Sequence, residues 1–379
     1  MRKSITLTGM IVLLAFSVCA QTGIPIIKAS NPMVSIRDGG ILSKNSWTIT
    51  PKLKPDVYTT THKNTRVTFF TDLDSITFKV KQGGQYDFNI LLNNDTAWTR
   101  IKFEPGSPYL SILKKAGKYN FSDNREVPGF TYQNPDFPAL VTLRTSLKLD
   151  SIAGGGNEIS RMINLVHWIH NLVPHDGEHG NPEVKNAMNM IAECKREKKG
   201  LNCRGLATVL NECYLSLGFK SRFVTCMPKD SVFSDCHVIN MVWSEEWRKW
   251  IWIDPTNDAY VMNEKGELLS IPEVRERLIS GKQLILNPDA NWNHRSSAVK
   301  EEYLYNYMAK NLYRFECAVS SEYDTETKTI GKKIDYVELL PLDGYNQLPQ
   351  KAEQTGKSSG IKFINYKTNN PSLFWAAPK

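Results

Sequence analysis

Several things are missing from this chain of 379 residues, and each absence narrows what it does. No two cysteines stand as a Cys-x-x-Cys pair, which removes the common zinc-binding signatures. Beyond residue 20 no apolar stretch is long enough to span a bilayer. No internal repeat organises the chain, so a solenoid is excluded. A nucleic-acid motif is also lacking, and the net charge of +8 is a mild excess spread along the sequence. Such a charge suits an anionic cell surface better than a nucleic-acid groove.

What is present begins with a leader. Arg2 and Lys3 precede the apolar run Met10–Phe16, and Val18-Cys19-Ala20 offers the small residues of a signal-peptidase site. Residues 1–20 therefore read as a signal peptide cleaved before Gln21, and the chain is expected to be secreted or periplasmic. A lipid anchor on Cys19 is the weaker reading, because Val18 is a poor residue immediately before a lipidated cysteine. Cleavage removes Arg2 and Lys3 and no acidic residue, taking the formal charge from +8 to +6. Cys194, Cys203, Cys213, Cys226, Cys236 and Cys317 remain, and their spacing assigns no bridge.

An apolar fraction of 41% with 10% aromatics is enough for a substantial core. Residues 21–45 are rich in Pro, Gly and Asn and read as an extended lead-in. From 46 to 104 the texture is β, with strands at Val67–Phe70, Ser75–Val80 and Tyr86–Leu92 separated by Gly83-Gly84 and Asn93-Asn94-Asp95. That module is expected to be a small sandwich of binding or structural character. Residues 105–150 read as a connector. A helix follows, with Ile159, Met162, Ile163, Val166, Ile169 and Val173 on one stripe, and Pro174 stops it. His175, Asp176, Glu178 and His179 form a polar loop whose spacing matches no zinc signature but which could border a site. A second helix is expected from Pro182 to Lys198.

The centre of the chain is Gly200-Leu-Asn-Cys203-Arg-Gly-Leu-Ala207. Leu206, Val209, Leu210, Cys213 and Leu217 keep a helical period, Asn202 is a preferred N-cap, and Gly218 stands where a helix stops. Cys203 therefore belongs to a first helical turn, where unpaired N–H groups and the helix dipole favour thiolate over thiol. By itself this is also how a small core residue at a helix start looks. Three strands follow: Phe219–Thr225, Cys236–Trp243, and Lys249–Asp254 stopped by Pro255.

A nucleophilic thiol needs an imidazole base and a third group that fixes its tautomer. If the last two strands form a hairpin with loop Ser244–Trp247, Trp243 faces Arg248 and His237 falls directly opposite Asp254. Opposed side chains share a face with Cβ atoms about 5 Å apart, within hydrogen-bond reach. The fold class is then α+β, a helix followed by an antiparallel sheet.

These segments together, with Leu-Gly218-Phe-Lys-Ser-Arg222, Cys-His237-Val and Trp252-Ile-Asp254-Pro255-Thr256, resemble the transglutaminase-like superfamily of papain-like cysteine enzymes. The resemblance covers residues 151–260 and implies a nucleophile helix packed on an antiparallel sheet. It implies Cys203 as nucleophile, His237 as base and acid, and Asp254 as the orienting carboxylate, with no cofactor and no metal. The chain departs from the family at Val238 and Asn240, where small and acidic residues are common, and the aromatic or Gln that supplies a second oxyanion donor is not evident.

Residues 261–344 read as an extension that shapes the cleft, with a helix over 300–313 and strands over 313–319 and 334–340. In the tail, 345–379, a flexible 345–360 precedes Phe363, Tyr366, Phe374 and Trp375, expected to dock again. The expected function is a secreted cysteine hydrolase cleaving an amide bond in a peptide, protein or peptidoglycan stem through a thioester. The alternatives are a protein-glutamine transamidase and a non-enzymatic binding protein on the same fold. The expected partner is that substrate, not nucleic acid, and the oligomeric state is not legible.

Overall fold

The computed structural model describes residues 23–379 apart from 63, 105–108, 231–234 and 357–359. The leader expected over residues 1–20, its cleavage point before Gln21 and the alternative anchor at Cys19 lie outside the described residues. The chain forms two units that divide between Pro105 and Gly106. Among the described residues no helix is long and apolar enough to cross a membrane.

The first unit is all β. Among the described residues its eight strands are β1 (Ile26–Ala29), β2 (Met33–Asp38), β3 (Ile41–Thr48), β4 (Asp56–Thr60), β5 (Thr65–Phe70), β6 (Ser75–Val80), β7 (Gln85–Leu92) and β8 (Asp95–Phe103). They make two four-stranded sheets, ordered β1-β7-β8-β4 and β3-β2-β5-β6. Alternation turns Val34 and Ile36, Val67 and Phe69, Phe88 and Ile90 inward, all nearly or fully buried. Phe69 packs edge-on against Trp47, Tyr58 and Phe88 at ring distances of 5.9, 5.4 and 5.1 Å, contacts worth about 0.5–1.5 kcal/mol each beyond area burial. The expected lead-in over 21–45 is thereby corrected: β1, β2 and most of β3 fall inside it, because short strands keep their period between the turn residues.

The second unit is built on a seven-stranded sheet, of β9 (Ser221–Met227), β10 (His237–Ser244), β11 (Lys249–Ile253), β12 (Arg314–Ala318), β13 (Lys333–Leu339), β14 (Lys351–Thr355) and β15 (Lys362–Thr368). Their order is β11-β10-β9-β12-β13-β15-β14. Every pair is antiparallel except β13 with β15. Helix α1 (Glu158–Leu172), helix α2 (Ala187–Glu197) and helix α3 (Cys203–Ser216) precede the sheet. Both faces of the sheet are covered. Ile239, Met241, Trp250 and Trp252 join one apolar core, and Val242, Ile251 and Ile253 join another with the helices.

The element limits differ from the sequence reading in identifiable ways. Helix α2 starts at Ala187, because the Asn186 side chain caps the N–H of Asn189 there. Among the described residues, the connector expected over 105–150 holds two short helices, Tyr109–Lys114 and Pro138–Ser146, and the start of a third, Leu149–Ala153. The helix expected over 300–313 is a π-helix over Glu301–Met308 followed by a short α-helical stretch. In the stretch expected to be flexible, residues 351–355 are an edge strand. The tail packs through Phe374, whose carbonyl accepts a 3.1 Å hydrogen bond from the buried Arg222 guanidinium. That guanidinium stacks on Phe130 at 3.7 Å and Trp250 at 4.9 Å, so Arg222 organises an aromatic cluster.

Candidate active site

Helix α3 begins at Cys203 because Asn202 caps it, its side chain accepting from the N–H of Gly205. Asn181 holds that cap from outside: its amide donates to Asn202 Oδ1 at 2.7 Å, and its oxygen accepts from Asn202 N at 3.0 Å. Gly205 permits the approach, since a Cβ there would lie 2.5 Å from Asn181 Oδ1. Cys203 stays half-buried at the helix start, where a backbone N–H has no intrahelical acceptor. Asn240 ties β10 to the helix, its amide donating to Ala207 O at 2.9 Å.

His237 is the first residue of β10 and is 1% exposed. Its Nε2 lies 2.8 Å from Asp254 Oδ2, so an ionised Asp254 fixes the proton on Nε2 and leaves Nδ1 for the thiol. The register behind this contact is not the one counted from sequence. Trp243 pairs with Trp250 and Ser244 with Lys249, closing the loop over residues 245–248. Asn240 pairs with Ile253, so Asp254 continues opposite Ile239 instead of His237. Arg248 adopts a left-handed φ of 51°, which shifts the closure one residue along. Moving both strands together changes the pairing by two, which preserves the face. His237 and Asp254 therefore meet as diagonal neighbours, still in reach of each other.

Asp254 is fully buried and receives three further donors. Thr256 N donates to Oδ1 at 2.8 Å, Asn257 Nδ2 to Oδ2 at 3.0 Å, and Tyr303 Oη to Oδ2 at 2.6 Å. Burial alone would raise its pKa, but the His237 charge and hydrogen bond, helped by Tyr303 and Asn257, hold it below the ordinary carboxylate value. Burial likewise disfavours the His237 cation. The Asp254 charge and hydrogen bond, followed by the thiol, outweigh it and raise the imidazole well above its usual value.

Two imidazoles reach the thiol. Burial pushes Cys203 up, and hydrogen bonds with His175 and His237 bring it down to about 6. A thiolate beside an imidazolium is the resulting state at neutral pH. A cavity of about 420 Å³ opens beside the pair, lined among others by His175, His237, Asn257, Trp292, Tyr303 and Tyr307.

The sequence reading placed Cys203, His237 and Asp254, and the structure brings these three together. It left His175 as one member of a bordering loop, and did not single out Trp292, Asn257, Tyr303 or Tyr307. Tyr303 touches Asp254, and Tyr307 packs edge-on against His237 at 5.2 Å. Their four-residue spacing in Tyr303-x-x-x-Tyr307 was the available signal, since on an α-helix it points to one face. Both lie in the π-helical segment, a conformation frequent at functional sites. His179, from the same loop as His175, pairs instead with Asp176 at 2.7 Å on the surface. Among the described residues no group of three or more His, Cys, Asp or Glu is arranged to hold a metal ion. All six cysteines of the described chain are free thiols.

Residues 146–255 match the family described as the Transglutaminase-like superfamily. That span is a transglutaminase-like domain, and it contains Cys203, His237 and Asp254. The molecule is thus α+β, an N-terminal all-β region followed by a transglutaminase-like core. No curated protein matches the chain. Among solved structures, one described as a "Putative Cysteine Protease" from Cytophaga hutchinsonii is 15% identical, with a TM-score of 0.25, over 39% of this chain and 48% of that one. Red sea bream transglutaminase is 12% identical, with a TM-score of 0.23, over 66% of this chain and 52% of that one. The chain spans about half the length of each.

Proposed function

We propose that this protein is a secreted cysteine hydrolase that cleaves an amide bond in a peptide, protein or peptidoglycan stem. The observation that carries the reading is the half-buried Cys203 thiol at a helix start, hydrogen-bonded to an imidazole whose other nitrogen is held 2.8 Å from a fully buried carboxylate. In the first half-reaction Cys203 Sγ attacks the substrate carbonyl carbon, and the carbonyl π pair moves onto oxygen. The Cys203 backbone N–H, at the positive end of α3, donates to that oxyanion. As the oxyanion collapses, the C–N bond breaks and His237 passes its Nδ1 proton to the leaving amine. Water, deprotonated by His237, then attacks the thioester; the acid leaves and the thiolate returns. Asp254 stabilises the imidazolium throughout without taking its proton.

The test is activity-based labelling of Cys203, followed by profiling of the full chain on peptide and muropeptide mixtures with a primary amine added. Free acid at the cleaved position supports hydrolysis, and an amide of the added amine replaces that reading with transamidation. Absence of any acyl-enzyme across both libraries, with Cys203 reactive toward iodoacetamide, replaces it with a binding module.

A further inference from the structure

The second imidazole at the thiol is built unlike the first. His175 follows Pro174, two residues past the end of α1, and its backbone forms a parallel bridge with Leu201, two residues before Cys203. Asp176 N donates to Leu201 O at 2.8 Å, and Leu201 N to Pro174 O at 3.0 Å. Gly200 makes room for this crossing, since a Cβ there would sit 2.4 Å from Pro174 O. A small hairpin, Asn291–Trp292 with Ser296–Ser297, then grips His175. Asn293 Oδ1 accepts from His175 N at 2.7 Å, and Asn293 Nδ2 donates to His175 O at 2.9 Å. Trp292 Nε1 donates to His175 Nδ1 at 3.2 Å.

That last contact settles the tautomer. An indole N–H only donates, so His175 Nδ1 must be bare and the ring's single proton is on Nε2. A proton on Nδ1 would set two donors against each other, so the Trp292 contact fixes the Nε2–H tautomer. The ring is left able to donate and poorly suited to serve as a base. A neutral imidazole used this way polarises an oxygen without exchanging a proton with it.

Resting on the acyl-transfer reading above, we propose that His175, held in its Nε2–H tautomer by Trp292, donates that N–H to the oxyanion formed when Cys203 attacks a carbonyl. The Sγ–C bond forms and the π pair becomes an oxygen lone pair, bound by the Cys203 N–H and His175 Nε2–H. No proton leaves His175. When the oxyanion collapses, the carbonyl re-forms, and the only proton delivered to the leaving group comes from His237. His175 is a catalytic residue in this scheme, and Trp292 is its positioning residue.

Two probes separate this role from thiolate activation. p-Nitrophenyl acetate acylates Cys203 through an oxyanion, whereas iodoacetamide alkylates it by displacement at a CH2 with none. Both rates are measured on the full chain at a pH where the thiolate is fully formed. His175→Ala should lose about 100-fold in acylation while alkylation changes by less than about threefold. His175→Gln, which keeps an N–H near the Nε2 position, should recover much of that loss. In Trp292→Phe, 15N spectra of the histidine rings should show His175 released from its fixed Nε2–H tautomer, with a smaller fall in acylation. Equal losses in both reactions would make His175 a thiolate activator and overturn the proposal. Unchanged acylation in His175→Ala would overturn it also, while leaving the hydrolase reading intact. A wild-type chain that is alkylated at Cys203 but never acylated would remove the hydrolase reading itself, and this proposal with it.

Discussion

Two imidazoles converge on one sulfur, and they differ in what stands behind them. His237 opens a strand in the core, 1% exposed, with a carboxylate at its rear nitrogen. His175 sits half-buried on a loop, with an indole N–H at its rear nitrogen. An acceptor behind the ring stabilises its cation and makes the front nitrogen an acid. A donor behind the ring occupies its rear lone pair and makes the front nitrogen a fixed hydrogen-bond donor. On the proposed mechanism the same side chain serves proton transfer on one wall of the cleft and charge stabilisation on the other.

The comparison breaks most completely at the sulfur and at the carboxylate-backed ring. Cys203→Ala should form no acyl-enzyme, read by mass spectrometry after a p-nitrophenyl acetate pulse. His237→Gln should slow acylation by up to about 10⁶-fold, and Asp254→Asn by up to about 10⁴-fold. In His237→Gln the pH midpoint of iodoacetamide alkylation should rise from about 6, since the imidazolium is gone and the upward push of burial stays. It should pass the ordinary thiol value of about 8.5. A midpoint still near the wild-type value would show that His175 alone sets the thiol.

Gly200→Ala tests the other wall without touching a functional side chain. Its Cβ would lie 2.4 Å from Pro174 O and 2.7 Å from Asp176 Cβ, so the crossing that carries His175 to the thiol must open. Acylation should fall by about 100-fold or less while fully ionised Cys203 is still alkylated at its normal rate. A smaller effect is expected from Tyr303→Phe, which removes one of the donors to Asp254. Losing a hydrogen bond to a charged group should cost about 1.5–3 kcal/mol in denaturant unfolding, with acylation reduced by about tenfold. If Tyr303→Phe matched Asp254→Asn in acylation, the tyrosine would be orienting the carboxylate and not simply satisfying it.

Much of the buried wall was legible in the sequence. Helix α3 announces itself by its cap and its apolar period, His237 opens a strand, and Asp254 directly follows one that Pro255 stops. The register was miscounted by two, because nothing in the composition shows that Arg248 takes a left-handed conformation. The face survived the error, since side chains repeat every second residue. The loop-bearing wall was hardly legible. Trp292 and His175 are separated by more than a hundred residues and meet through a two-strand hairpin whose turn, Asn293-His294, is left-handed at both positions. No period or spacing rule links such segments. The N-terminal strands were missed for a related reason: over 21–45 the turn residues Gly23, Pro25, Asn31, Pro32, Asp38, Gly39 and Gly40 interrupt the short runs whose alternation would have shown them.

One feature of Asp254 bears on how the proton economy of the site can be measured. Four donors converge on this carboxylate, three of them on Oδ2. With Oδ2 already accepting three donors, a proton there would have to displace one of them, which keeps the ionised carboxylate out of the proton transfer. Solvent isotope effects on acylation should therefore vary linearly with the deuterium fraction of the water, as they do when a single proton is in flight.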